Sequence, residues 1–194
     1  VTTSGPADGA PVVLLHGFPE SAASWEPVSA RLNESGLRTY APNQRGYSPG
    51  ARPDGVTSYR IDHLVADVIG LLDALDLDTA HLVGHDWGAA VAWVVAARHP
   101  DRINSLTTVS VPHPGAFGWA LREDADQKER SSYIRLLRME GKAERVLLDD
   151  NAHSLRAMFG DVVPPALVDR HVALLSEPGA LTAALNWYRA MTSD

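Results

Sequence analysis

The chain of 194 residues contains no cysteine. That excludes disulfides, thiol catalysis and thiolate metal sites, and it suits a reducing, cytoplasmic setting. Positive charge is also scarce: 17 Lys and Arg stand against 24 Asp and Glu, a formal net charge of −7 with the signs interspersed. Such a balance offers no basic surface for nucleic acid. No run approaches the roughly 18 uncharged apolar residues of a membrane span, and no leader pattern is visible, so a soluble protein without membrane contact is expected. Histidine occurs eight times, but no pair shows ligand spacing with a third partner. No metal is therefore expected.

What is present is ample apolar material, 45% of the residues, enough for one domain with a real core and an excursion from it. The stretch 80–98 organises the rest. An apolar run leads into Gly84-His85-Asp86-Trp87-Gly88, and a second apolar run of small residues follows. A strand turning sharply into a helix, with small residues two before and two after one reactive side chain, is a nucleophile elbow. The glycines let the turn close without Cβ clashes, so the central residue can be held strained with its tip exposed. Here that residue is Asp86. A carboxylate is a poor acyl nucleophile, but in a dry pocket it can displace a leaving group at saturated carbon, giving an alkyl ester. Water can then attack the aspartyl carbonyl while backbone N–H groups hold the oxyanion. Aspartate is also a favoured helix N-cap, and the motif taken alone leaves both readings open.

Around the elbow, the first ten residues read as polar and turn-rich. The continuous apolar run 11–15 predicts a buried parallel strand. It ends in His16-Gly17-Phe18-Pro19-Glu20, a tight loop at a strand's carboxyl end, where open α/β sheets bind ligands. This loop places His16, Gly17 and Pro19 at the binding site, makes Phe18-Pro19 a candidate cis peptide, and aims the Phe18 N–H at an oxyanion hole opposite that of Trp87. A helix over 25–34, a strand over 37–41, an amphipathic helix over 59–75 and a strand over 105–111 follow, so strands and helices alternate as in a parallel sheet. After Pro112-His113-Pro114-Gly115 only helical stretches remain: 124–139, 142–148, 151–159, 165–175 and 179–191. A helical insertion after a sheet strand reads as a lid over the strand ends, with the core in 1–112 and the cap in 113–194.

These motifs resemble the α/β-hydrolase fold and, within it, the epoxide hydrolases. The resemblance rests on H-G-F-P-E at His16, R-G-Y-S at Arg45, G-H-D-W-G at Gly84 and L-N-W-Y-R at Leu185, in that order. It implies an α/β fold, mostly parallel, with an all-helical cap, and the opening of epoxides to vicinal diols without a cofactor. It also implies two cap tyrosines that protonate the epoxide oxygen. Tyr188 lies in L-N-W-Y-R, and Tyr133 lies eight residues before the glycine of Gly141-Lys142-Ala143-Glu144. The need is physical, because an opening epoxide releases an alkoxide with no external leaving group, so a donor must meet the developing charge. The related haloalkane dehalogenases share a tryptophan at Trp87 but usually carry asparagine where this chain has Phe18, which makes dehalogenation the second enzymatic reading.

The resemblance further implies a water-activating histidine and an acid after the cap, and neither stands at its family position in these 194 residues. His16 and His85 belong to the loop motifs, with His85 expected to point away from the nucleophile's pocket. His63, His99, His113, His153 and His171 lie on helices or at element ends. The family's opening hairpin is also missing. The pattern predicts a chain truncated at both ends, with the strands at Leu37 and Ser105 as bare edges that recruit further polypeptide or a second copy. For such a chain alone, a non-catalytic fragment or binding module is the alternative of a different class. Asn43 replaces an aspartate common in relatives and is expected to leave the chemistry untouched.

Overall fold

The computed structural model describes residues 1–191 and divides the chain into two compact units. One comprises Val1–Gln44 with Ile61–Pro114, the other Arg45–Arg60 with Gly115–Asp194. The first is a five-stranded sheet with helices. Its strands are β1 (Thr2–Ser4), β2 (Ala10–Leu15), β3 (Leu37–Ala41), β4 (Ala80–His85) and β5 (Ile103–Val109), in spatial order β1-β3-β2-β4-β5. All neighbours are parallel except β1 and β3. Central β2 explains its own sequence: Val12, Val13, Leu14 and Leu15 are at most 3% exposed, as expected when a strand is covered on both faces. Val12 and Leu14 pack with Ala22, Trp25 and Ala41 on one face, and the intervening residues point to the other.

Helix α1 (Glu26–Glu34) begins with proline in its first turn, where a missing N–H costs nothing. It stops before Gly36, whose φ of +81° most side chains resist. Helix α2 (Ile61–Ala74) buries Leu64, Val65, Val68 and Leu72, the stripe read from the sequence. Helix α3 (Trp87–Arg98) buries Gly88, Ala89, Val91, Ala92 and Val95, so its small residues allow a close approach to the sheet.

The expectation that β3 forms a bare edge is overturned. Residues read as turn-rich contain β1, which pairs antiparallel with β3 in the register Thr2↔Ala41, Thr3↔Tyr40 and Ser4↔Thr39. Side-chain bonds add to the ladder: Ser4 Oγ lies 2.9 Å from Thr39 Oγ1, and Asn33 Nδ2 donates to Ser4 Oγ at 2.8 Å. A polar edge strand of three residues has no apolar signature, so its pairing is set by the partner strand.

The second unit is helical: α4 (Pro114–Glu123), α5 (Ala125–Arg130), α6 (Ile134–Leu137), α7 (Lys142–Ala157), α8 (Pro165–Leu175) and α9 (Ala180–Arg189). Two differences from the sequence reading concern its start. Helix α4 begins at Pro114, within the stretch taken as a break, and the single helix expected over 124–139 is two. Asp124 caps α5 by accepting from the N–H groups of Asp126 and Gln127, and the turn at Ser131 and Ser132, residues that compete for backbone hydrogen bonds, separates it from α6. The break expected between 148 and 151 appears inside α7, where Asp150, Asn151 and Ala152 adopt φ of 48°, 54° and 58°. Residues 45–60 also join this unit. Trp187 Nε1 donates to the Arg45 carbonyl at 2.9 Å, the Tyr47 ring meets Trp187 edge-on, and Arg52 pairs with Glu177 at 2.7 Å. Among the described residues no helix is long and apolar enough to cross a membrane.

Candidate active site

The elbow sits between β4 and α3, and its glycines are required by contact. A Cβ on Gly88 would lie 2.5 Å from the carbonyl carbon of Leu15, and one on Gly84 would lie 2.5 Å from the carbonyl carbon of Gly88. Strand β2, strand β4 and the start of α3 therefore meet backbone to backbone. Asp86, held between them, takes φ 52° and ψ −121°, a conformation that costs a non-glycine residue about 1–3 kcal/mol. It occupies the N-cap position of α3, yet its side chain makes no capping bond. The carboxylate instead turns to the loop after β2.

There the Phe18 N–H donates to Asp86 Oδ1 at 2.9 Å, and the Trp87 N–H also donates to the carboxylate. Gly17 makes this possible, because a Cβ on it would stand 2.8 Å from Asp86 Cγ. Burial pushes the Asp86 carboxyl above the ordinary aspartate range, against the pull of the Phe18 and Trp87 N–H groups and of His85. A carboxylate desolvated on an otherwise donor-lined perch is a stronger nucleophile than one in water.

The loop itself is buried and hydrogen-bonded. Phe18-Pro19 is cis, and Phe18 and Pro19 are buried. His16 is fully buried. Its Nδ1 lies 2.9 Å from the Gly17 carbonyl and its Nε2 accepts the Gln44 N–H at 3.2 Å. Both ring nitrogens are thus occupied by backbone, and His16 acts as a strut of the loop, not as an open ligand for substrate. Asn43 Oδ1 accepts the Ala22 N–H at 2.9 Å, a task an amide performs as well as a carboxylate.

One pair beside the elbow was not legible from the sequence. His85 Nδ1 lies 3.1 Å from Glu20 Oε2, joining residues of two motifs that are 65 positions apart. The Glu20 hydrogen bond is the largest influence on His85 and raises its pKa above the ordinary value, with Asp86 adding to the rise. The only signal available was that both residues flank the reactive loop and elbow.

In the helical unit the structure brings Tyr133 and Tyr188 together. Their ring centroids are 6.5 Å apart with an interplanar angle of 77°, although 55 positions separate them in the chain. Tyr188 is 3% exposed and Tyr133 46%, so one hydroxyl-bearing ring is packed in the unit and the other reaches its surface.

Comparison with known proteins gives the family. A family model described as the alpha/beta hydrolase fold matches residues 10–135. The AB hydrolase superfamily protein YfhM of Bacillus subtilis is 39% identical over 196 residues, covering 98% of this chain and 68% of that protein. Epoxide hydrolase 2 of Caenorhabditis elegans is 34% identical over 196 residues, covering 95% of this chain and 54% of its own length. Among solved structures, an epoxide hydrolase of the same superfamily from hot-environment metagenomes superposes with a TM-score of 0.88 at 32% identity, covering 99% of this chain and 66% of that one. The chain thus spans between about half and two thirds of the length of these relatives. With a donor-held aspartate at a strained strand-to-helix turn and these similarities, the chain belongs to the α/β-hydrolase family, in its epoxide hydrolase branch.

Proposed function

We propose that the full-length protein hydrolyses small-molecule epoxides to vicinal diols through an alkyl ester on Asp86. The observation that carries this is the Asp86 carboxylate at the elbow, strained at φ 52° and held by the Phe18 N–H at 2.9 Å. A carboxylate oxygen attacks an epoxide carbon; the carbon–oxygen bond of the ring breaks, and its electron pair moves to the departing oxygen. Tyr133 and Tyr188 supply the hydrogen bonds and the proton which that oxygen needs, and their pairing in one unit supports the role. Water then adds to the aspartyl carbonyl. The N–H groups of Phe18 and Trp87, already donating to the resting carboxylate, stabilise the oxyanion, and collapse releases the diol with the carboxylate restored. The family resemblance calls for a histidine and an acid to activate this water, and no described residue is assigned either role.

The two tyrosines also favour an epoxide over a haloalkane, because a halide leaves without a proton and needs only N–H donors around it. Tyr133→Phe with Tyr188→Phe should lower epoxide opening by about 100-fold to 10,000-fold, the usual contribution of general acid catalysis, while the fold stays intact by circular dichroism. Unchanged epoxide turnover in the double variant, or release of halide from a haloalkane faster than any epoxide is opened, refutes the assignment.

A further inference from the structure

Helix α9, which carries Tyr188, is tied to the start of α7 by one largely buried ion pair. Arg189, in the last turn of α9, donates through Nη2 to Glu144 Oε1 at 2.9 Å. Glu144 lies in the first turn of α7, and Thr182 Oγ1 reaches the same carboxylate oxygen at 3.0 Å. Arg189 Nη1 also donates to Asn186 Oδ1 at 3.1 Å, so the guanidinium folds back along its own helix. The Arg189 side chain is 6% exposed and that of Glu144 17%.

Thr182, Asn186 and Arg189 follow one another at helical spacing on a single stripe of α9. Trp187 and Tyr188 project from the same turn at steps of about 100°, and each has its own fixed neighbour: Trp187 Nε1 the Arg45 carbonyl, Tyr188 the Tyr133 ring. Three contacts in three directions oppose rolling of α9. The Glu144–Arg189 tie links that rotation to the start of α7, which follows α6 and Tyr133 by a few residues, through Gly141 at φ 69°.

The pair is incompletely hydrogen-bonded. Glu144 Oε2 and Arg189 Nε are both buried without a hydrogen-bond partner. The guanidinium thus meets the carboxylate with one bond where two parallel bonds are available to this pair of groups. Burial raises the Glu144 carboxyl, but its hydrogen bonds and the Arg189 charge outweigh that and hold it below the ordinary range; even so, apolar residues of similar size commonly replace buried pairs without loss. Its effect is on placement.

We infer that Glu144 and Arg189 are positioning residues that set the spacing of the Tyr133 and Tyr188 hydroxyls through the rotation of α9, and so govern donation to the opening epoxide. This rests on the role proposed above for the two tyrosines. The test is made in the full-length protein with the double variant Glu144→Leu and Arg189→Met, which removes both charges and leaves neither stranded. Its melting temperature should match that of the unmodified protein. Its kcat for an unactivated aliphatic epoxide should fall by about 100-fold, the usual consequence of a displacement near 1 Å at a reacting group, with KM unchanged. An epoxide whose opened alkoxide carries electron-withdrawing groups needs the donor least and should lose much less.

Arg189→Lys, which keeps the charge but cannot bridge Glu144 and Asn186 with a planar fork, should show the same selective loss and serves if the double variant does not fold. A folded variant with unmodified kcat on the aliphatic epoxide, or an equal loss on both epoxides, overturns the inference. Tyr188→Phe separates the two levels. Full activity in that variant removes this inference, and full activity in Tyr133→Phe with Tyr188→Phe removes the tyrosine assignment as well. A loss in Tyr188→Phe beside an unaffected variant Glu144→Leu with Arg189→Met removes this inference alone.

Discussion

The strain at Asp86 can be measured by replacing the residue with alanine and with glycine. Both changes remove the carboxylate and leave the Phe18 and Trp87 N–H groups without that acceptor, so the difference between the variants isolates the backbone. At φ 52° and ψ −121° the Cβ of alanine keeps a penalty of about 1–3 kcal/mol, and glycine has none. Glycine loses roughly 0.5–1 kcal/mol more chain entropy on folding. Taking the middle of each range, the glycine variant should be the more stable by about 1.25 kcal/mol. At roughly 2–4 °C per kcal/mol for a chain of this size, that is a difference in melting temperature of roughly 2.5–5 °C. Thermal unfolding followed by circular dichroism reads the difference directly. Intact mass after exposure to an aryl epoxide should show no alkyl adduct on either variant. An alanine variant as stable as the glycine variant would falsify the argument that the turn holds Asp86 in a strained conformation. An adduct on either variant would move the nucleophile away from Asp86.

Four further outcomes follow from the same geometry. Gly88→Ala drives a Cβ into the Leu15 carbonyl and should lower stability by about 1–3 kcal/mol by denaturant titration; a neutral result contradicts the backbone contact. Gly17→Ala crowds Asp86 Cγ and should slow ester formation more than it lowers stability, so parallel losses, or none, count against the close approach of loop and carboxylate. Glu20→Gln removes the main cause of the raised His85 pKa, and the His85 midpoint followed by NMR should fall. Because a raised histidine pKa favours the fold below the unfolded value near 6.5 and loses that benefit as pH rises through the folded value, the variant should also flatten the stability–pH curve just above 6.5; an unmoved midpoint refutes the pairing. Strand β5 has no outer partner among the described residues, and we propose that in a polypeptide of these 194 residues this edge drives self-association. Val109→Lys, on β5 and 45% exposed, should reduce it in sedimentation velocity, and an equally associating variant argues against β5 as the contact.

The sharp turn around Asp86 was legible because it is local. Glycines two before and two after Asp86 state that backbones meet there, and the close approaches at Gly84 and Gly88 are their physical content. Strand β2 was legible because burial on both faces demands a continuous apolar run, and α2 because burial on one face demands a helical stripe. Strand β1 was not legible: Thr2, Thr3 and Ser4 owe their conformation to the carbonyl and N–H groups that β3 presents. Nor was helix α4, where proline marks the start of an element as readily as its end.

The sequence by itself determined where the candidate groups stand along the chain: an aspartate at a sharp strand-to-helix turn, the loop motif whose Phe18 N–H reaches it, and two tyrosines in motifs of their own. Steric exclusion and hydrogen-bond valence act over a few residues, so their signatures survive in one dimension. Only the tertiary structure decided which polar groups meet. His85 found Glu20, Glu144 found Arg189, and Arg45–Arg60 joined the helical unit through Trp187 and Glu177. Such pairings depend on where whole helices and strands come to rest, and a charged side chain carries no mark of the partner it will meet across the fold.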